Sequence, residues 1–332
     1  MKKFLNNVDH MLAESLRGFA TAHADLVEVQ FEPTFVTRKQ KAQNKVAIIS
    51  GGGSGHEPLH AGYVGKGMLD AACPGQVFTS PTPDQMLAAA EAVHADKGVL
   101  FIVKNYAGDV MNFEMAAEML PFEHATIYTS DDCAVVNSTY TTGRRGVAGT
   151  VIVEKCIGSL AETGAELEAC KALGEKINLH TSSIGAALTS CTVPAAGRPT
   201  FDISDSDIEM GVGIHGEPGR RREAMREADA IVNDMVAAIV HDIEAKQLPL
   251  KGEILLLVNG LGATPLMELY LIYNTAAKLL KEKGFTVARS LVGNYITAID
   301  MAGASITVCL LDDEIKQHWD SPVHTAGLRW GI

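Results

Sequence analysis

Val46-Ala47-Ile48-Ile49-Ser50-Gly51-Gly52-Gly53-Ser54-Gly55-His56-Glu57-Pro58 begins as a short continuous apolar run and breaks into glycine. A run of this length, rich in β-branched residues, predicts a strand buried on both faces. Two more follow, Val99-Leu100-Phe101-Ile102-Val103 and Ala125-Thr126-Ile127-Tyr128, with helical patterns between them. That alternation predicts an α/β layer with a largely parallel sheet. Thr82-Pro83-Asp84-Gln85 supplies an N-cap, a proline at the first helical position and a capping-box glutamine ahead of the helix formers Met86 to Glu91. After Val103 come Lys104-Asn105-Tyr106-Ala107-Gly108-Asp109 and a helix from about Asn112. Open α/β sheets place ligand groups at the carboxyl ends of strands, so position alone makes Lys104 and Asp109 candidates. The competing role for Asp109 is an N-terminal helix cap.

A second series starts beyond the polar, cap-rich stretch at 178–183. Strands are expected at Ile184 to Leu188, Glu253 to Val258 and Ser305 to Leu311. Helices are expected over Glu223 to about Ile243 and Leu266 to about Lys283, the latter stopped by Gly284. The pattern therefore predicts an N-terminal α/β domain over 1–182 and a C-terminal α/β domain over 183–332, facing one cleft. No short-period repeat or low-complexity tract points to a solenoid.

The second half carries Gly211-Val212-Gly213-Ile214-His215-Gly216-Glu217-Pro218-Gly219. Glycines and small apolar residues around His215 leave its imidazole open to a small ligand, which makes it a candidate nucleophile. His56 lies in a similar bed, and two such histidines suggest one composite site. The glycines at 51–55 suit either a tight strand-to-helix turn or close backbone approach to a ligand. A phosphate loop needs G-x-x-x-x-G-K-[ST], and a dinucleotide fingerprint from Gly51 needs glycine where His56 stands, so neither ATP nor NAD is indicated. Asn259-Gly260-Leu261-Gly262-Ala263-Thr264-Pro265 reads as the lead-in to a helix without chemistry. His60 follows His56 at a spacing that on a helix could chelate a metal, but no metal is expected here. Arg220-Arg221-Arg222, at the predicted start of a helix, reads as a solvated run or a contact for an anionic partner.

Composition narrows the classes. The 332 residues are 47% hydrophobic and 20% charged, as in a soluble globular chain. A net charge of -12 with only 28 Lys+Arg excludes the basic field used by nucleic-acid and membrane-surface binders. The first residues turn polar before a signal-peptide core could form and no run reaches the length of a membrane span, so a cytoplasmic location is expected. Six cysteines without a C-x-x-C pair read as reduced core thiols. Cys191 has no cationic neighbour in sequence to activate it.

Taken with Phe78-Thr79-Ser80-Pro81-Thr82-Pro83-Asp84, Gly143-Arg144-Arg145-Gly146, Cys191-Thr192-Val193-Pro194 and Trp319-Asp320-Ser321-Pro322-Val323-His324-Thr325, these stretches resemble the dihydroxyacetone kinase family nearly end to end. The resemblance implies the two-domain substrate fold of that family, usually as a homodimer, acting in glycerol metabolism. It further implies that the histidine matching His215 holds dihydroxyacetone as a covalent hemiaminal. A neutral imidazole nitrogen adds to the ketone carbonyl, and glycerol, lacking that carbon, is refused. The residues matching His56 and Asp109 are then the polar groups near the reacting hydroxyl, and Gly53, Ser54, Gly55 and Lys104 are ligand-binding positions. ATP-dependent relatives carry an added helical nucleotide domain, whereas this sequence stops at Ile332. It is accordingly similar to the phosphotransferase-linked type, in which a separate helical subunit holds ADP and Mg²⁺ and is recharged by a phosphohistidine protein. Two alternatives go with the resemblance: a dihydroxyacetone-sensing transcriptional co-activator, and a kinase subunit for a related triose or ketose.

Overall fold

A computed structural model describes residues 2–332. The first half contains α1 (Met11–Ala22), β1 (Val27–Phe31), β2 (Thr34–Arg38), β3 (Ala47–Ser54), β4 (Gly65–Lys66), β5 (Ala71–Val77), α2 (Pro83–Val93), β6 (Val99–Lys104), α3 (Ala107–Glu118), β7 (His124–Thr129), α4 (Gly149–Glu162) and α5 (Leu167–His180). Its sheet has the order β1-β2-β5-β3-β6-β7. The last four strands of that order run parallel, as the sequence pattern predicts.

The second half adds β8 (Thr181–Ala187), β9 (Asp207–Met210), β10 (Arg221–Ala224), α6 (Ala228–Ala245), β11 (Gly252–Gly260), α7 (Leu266–Glu282), β12 (Phe285–Gly293), β13 (Gly303–Leu310), α8 (Asp313–Asp320), β14 (Val323–Thr325) and β15 (Arg329–Trp330). The order of its sheet is β10-β9-β8-β13-β11-β12. Only β11 and β12 pair in parallel there. Loops, not crossover helices, join β8 to β9 and β9 to β10, so those neighbours run in opposite directions. Near the C-terminus, β14 returns to pair with β4 of the first half.

Side-chain alternation along the buried strands decides what each face touches. Ala47, Ile49, Val99, Phe101 and Val103 pack with α2 and α3 through Met86, Ala90 and Phe113. Ile48, Leu100 and Ile102 point the other way, into a core with Val151, Ile152 and Ile157 of α4 and Leu173 of α5. Leu255 and Leu257 of β11 join that same core. Ile254, Leu256 and Val258 face α6 and α7 instead. Helices α4 and α5 are thus shared filling between the two sheets, and the two halves cannot slide without breaking one core. Strand β8 straddles the division expected between residues 182 and 183.

Four local expectations are corrected. Gly51 to Gly53 do not turn into a helix: they continue β3 and pair with Cys73, Pro74 and Gly75 of β5. His56 and His60 therefore sit in a turn, not on a helix, and both are buried. Helix α3 begins at Ala107, which brings Asp109 into its first turn. Residues 221–224 form an edge strand, so α6 starts at Ala228 and not at Glu223. The arginine run is exposed, yet partnered: Arg220 donates to the Ala134 carbonyl, Arg221 pairs with Glu223 and Asp234, and Arg222 pairs with Glu209.

Candidate active site

The carboxyl ends of β3 and β6 meet the loop between β9 and β10 and the segment after β12. Past Ser54, Gly55 turns the chain with φ +101° and delivers His56, which is 1% exposed. Asn259 at the end of β11 fixes the facing segment. Its Nδ2 donates to the Ile296 carbonyl, and its Oδ1 accepts from the amides of Tyr295 and Ile296. The stretch expected to be a plain lead-in to a helix thus aims the Thr297 carbonyl at His56, whose Nδ1 lies 2.7 Å away.

His215 is braced from the other side. Its Nδ1 lies 2.8 Å from Glu217 Oε1, and its backbone amide donates to Glu217 Oε2 at 3.0 Å. Glu217 is 2% exposed. Burial pushes its carboxyl up, but the His215 ring and the nearby Arg145 outweigh that and hold it down at about 2. Arg145, wholly buried, binds Asp132 and the Gly211 carbonyl, tying the loop to the first half. A side chain at Gly213 would collide with the Glu217 carboxylate and crowd Arg145. Glycine is thus needed there for close approach rather than for flexibility.

The two imidazoles meet edge to face, with His56 Nε2 and His215 Nε2 3.1 Å apart. A carbonyl and a carboxylate only accept, so each ring carries its proton on Nδ1. Two neutral rings would then oppose lone pair to lone pair. One proton between the Nε2 atoms resolves this, giving the pair a positive charge that the Glu217 carboxylate balances. Burial, then His215, then Lys104 hold His56 well below the ordinary imidazole range. Phe78 stacks on His56, and Tyr106 meets the edge of His215.

A cleft of about 520 Å³ opens on His215, lined also by Gly53, Phe78, Thr79, Ser80, Tyr106 and Asp109. Asp109 Oδ2 lies 3.4 Å from the Lys104 Nζ, so its carboxylate serves this ion pair and not a helix cap. Of the residues expected from sequence, Gly53, Asp109 and His215 share the cleft, and His56 lies directly behind His215. Lys104 stands behind Asp109, while Ser54 donates to the Gly75 carbonyl and holds the loop shape. Sequence reasoning missed Glu217, Arg145, Asn259, Thr297 and the buried pair His60–Glu154. The one local signal was a carboxylate two residues from His215. All six cysteines are buried and unpaired.

Residues 17–327 match the Dak1 domain. The chain belongs to the Dak1 family. It is 46% identical to the dihydroxyacetone-binding subunit DhaK of the PEP-dependent dihydroxyacetone kinase of Escherichia coli K12, covering 100% of both chains. The corresponding subunit of PTS-dependent dihydroxyacetone kinase 1 from Listeria innocua is 49% identical, with 95% of each chain covered. Among solved structures, the dihydroxyacetone kinase operon co-activator Dha-DhaQ superposes with a TM-score of 0.88 at 33% identity, covering 95% of this chain and 96% of the other. Dak1 membership and the paired histidines come from independent observations, one of the whole chain and one of a few atoms.

Proposed function

We propose that this chain is the dihydroxyacetone-binding subunit of a phosphoenolpyruvate-dependent kinase, and that it holds its substrate as a hemiaminal on His215. The observation that carries this is the opposed Nε2 pair with Glu217 behind it. When the ketone enters, His56 Nε2 accepts the shared proton and frees the His215 lone pair. The nitrogen bonds to the central carbon, the carbonyl electrons move to oxygen, and that oxygen takes the proton from His56. Total charge is unchanged, and the alkylated imidazolium that results keeps its Nδ1–H on the Glu217 carboxylate. His56 thus serves the carbonyl, and Asp109 serves the terminal hydroxyl, taking its proton as the oxygen attacks phosphorus.

The phosphoryl group comes from a separate helical subunit holding ADP and Mg²⁺, recharged by a phosphohistidine protein; the product is dihydroxyacetone phosphate. A homodimeric state, a cytoplasmic location and a place in glycerol metabolism belong to the same proposal. Among the described residues no helix is long and apolar enough to cross a membrane, and the net charge of -12 disfavours nucleic acid. The co-activator among the structural neighbours supports a second reading, a dihydroxyacetone sensor. The kinase subunits are the more similar relatives, at 46% and 49% identity. Reconstitution separates the two: with the helical subunit and phosphohistidine donor the chain yields dihydroxyacetone phosphate, and with ATP and Mg²⁺ alone it yields none. Substrate binding without turnover in the full mixture would establish the sensor, and product from ATP with the isolated chain would overturn both.

A further inference from the structure

Behind Asp109 a line of buried polar groups runs away from the cleft into α4. Lys104 Nζ has three hydrogens and three acceptors: His60 Nε2 at 2.9 Å, the Gly51 carbonyl at 3.3 Å and Asp109 Oδ2 at 3.4 Å. The opposite ring nitrogen of His60, Nδ1, lies 2.6 Å from Glu154 Oε1. Glu154 sits in the middle of α4 and is 0% exposed, as are the flanking Val151 and Ile157. Its second oxygen, Oε2, makes no hydrogen bond of ordinary geometry among the described residues, with the Ser50 hydroxyl as its polar neighbour. An apolar residue at this point would fill the core without that desolvation penalty, so packing does not explain a carboxyl here.

Orientation does. An ammonium donates only to a nitrogen with a free lone pair, so His60 Nε2 carries no proton and Nδ1 does. The acceptor at Glu154 Oε1 is what satisfies that Nδ1–H in the core, where it would otherwise be buried unpaired. If the ring flipped its proton to Nε2, hydrogen would face hydrogen across 2.9 Å and the lysine would swing away from Asp109. Space is reserved for the same arrangement, since a Cβ at Gly52 would collide with Lys104 Nζ. Burial pushes the Glu154 carboxyl up to about 8 against the pull of Ser50 and Lys104, and Oε1 accepts from His60 whether or not the carboxyl is ionised. Asp109 Oδ1, meanwhile, accepts from no protein group among the described residues and is left for the substrate.

We infer that Glu154 and His60 are positioning residues: Glu154 fixes the tautomer of His60, His60 aims the Lys104 ammonium, and Lys104 holds Asp109 Oδ2 so that Oδ1 meets the hydroxyl. The inference rests on the assignment of Asp109 to phosphoryl transfer made above. It is tested with the full chain, its helical subunit and the phosphohistidine donor, with turnover counted per molecule that carries the dihydroxyacetone adduct. Glu154→Gln keeps an acceptor for Nδ1–H and should retain turnover within about twofold of wild type. Glu154→Met removes it and should lower turnover per adduct by about tenfold or more, as misplaced catalytic groups do, with KM little changed. Nitrogen NMR of His60 should report a protonated Nδ1 in the wild type and in Glu154→Gln, and a protonated Nε2 in Glu154→Met. Wild-type turnover per adduct in Glu154→Met, equal losses in both variants, or an unchanged His60 tautomer would each overturn the inference. If the wild type forms no adduct, the function proposed above fails instead, and the His60 tautomer alone decides this question.

Discussion

Glu217→Gln removes one oxygen acceptor and adds two hydrogens at a place where the chain offers two donors. In the parent, Oε1 takes the His215 Nδ1–H and Oε2 takes the His215 amide. A glutamine oxygen satisfies one of these, and its amide hydrogens oppose the other. The ring escapes the clash by moving its proton to Nε2, which removes the lone pair that attacks the ketone. The cationic adduct also loses its counter-charge. A buried hydrogen bond to a charged group contributes about 1.5–3 kcal/mol, so adduct affinity should fall by roughly 10- to 100-fold. A second magnitude comes from titration. The difference between the ordinary carboxyl value of 4.5 and about 2 in the fold corresponds to about 3 kcal/mol of folding stability. Because the folded value is the lower one, that stability is fully present above pH 4.5 and is lost as pH falls toward 2. Glu217→Gln should lack this component of the acid transition. The assay for binding is NMR of dihydroxyacetone labelled at its central carbon, where a tetrahedral signal replaces the ketone signal on adduct formation. A variant with wild-type affinity and a full tetrahedral signal would refute the tautomer reasoning.

His56→Phe should slow adduct formation by about 10²–10⁴-fold, since proton transfer to the carbonyl oxygen loses its relay; an unchanged rate in stopped-flow binding would remove His56 from the addition. Asp109→Asn should keep the tetrahedral signal and lose about 10²–10⁴ in turnover, and near wild-type turnover would exclude Asp109 as the base. Asn259→Ala leaves the buried Ile296 amide and carbonyl and the part-buried Tyr295 amide without this partner and should destabilise by about 2–4 kcal/mol, read from urea unfolding, with a loss under about 0.5 kcal/mol, the scatter of neutral surface changes, refuting the clamp.

Strands and helices whose signal is local were legible from sequence. The run at 99–103 is β6, the capping box at Thr82 opens α2 with Thr82 N donating to Gln85 Oε1 at 2.9 Å, and Gly284 ends α7 with φ +100°. What failed depended on partners distant in the chain. Gly51 to Gly53 read as a turn because glycine disfavours strands, and pairing with β5, joined at Gly51 by β6, makes them one. Residues 221–224 have helix-forming composition and form an edge strand because β9 offers a free edge. The paired histidines were visible as residues, but not their tautomers, which are set by Thr297 and Glu217.

Glu154 shows why a buried ionisable group escapes sequence reading. In Val153-Glu154-Lys155-Cys156 the two charged residues look like the solvated face of an amphipathic helix. Both are 0% exposed, because α4 has a sheet on either side and no face left for water. Lys155 is satisfied by the His318 carbonyl at 2.7 Å, a contact that ties α4 to α8 and ends in structure. Glu154 meets His60 through Oε1, and its line of contacts ends at the cleft. The same helix therefore holds one buried ionisable group that closes a structural contact and one that leads to a reacting group. What separates them is where the hydrogen-bonded chain terminates, which no property of four consecutive residues encodes.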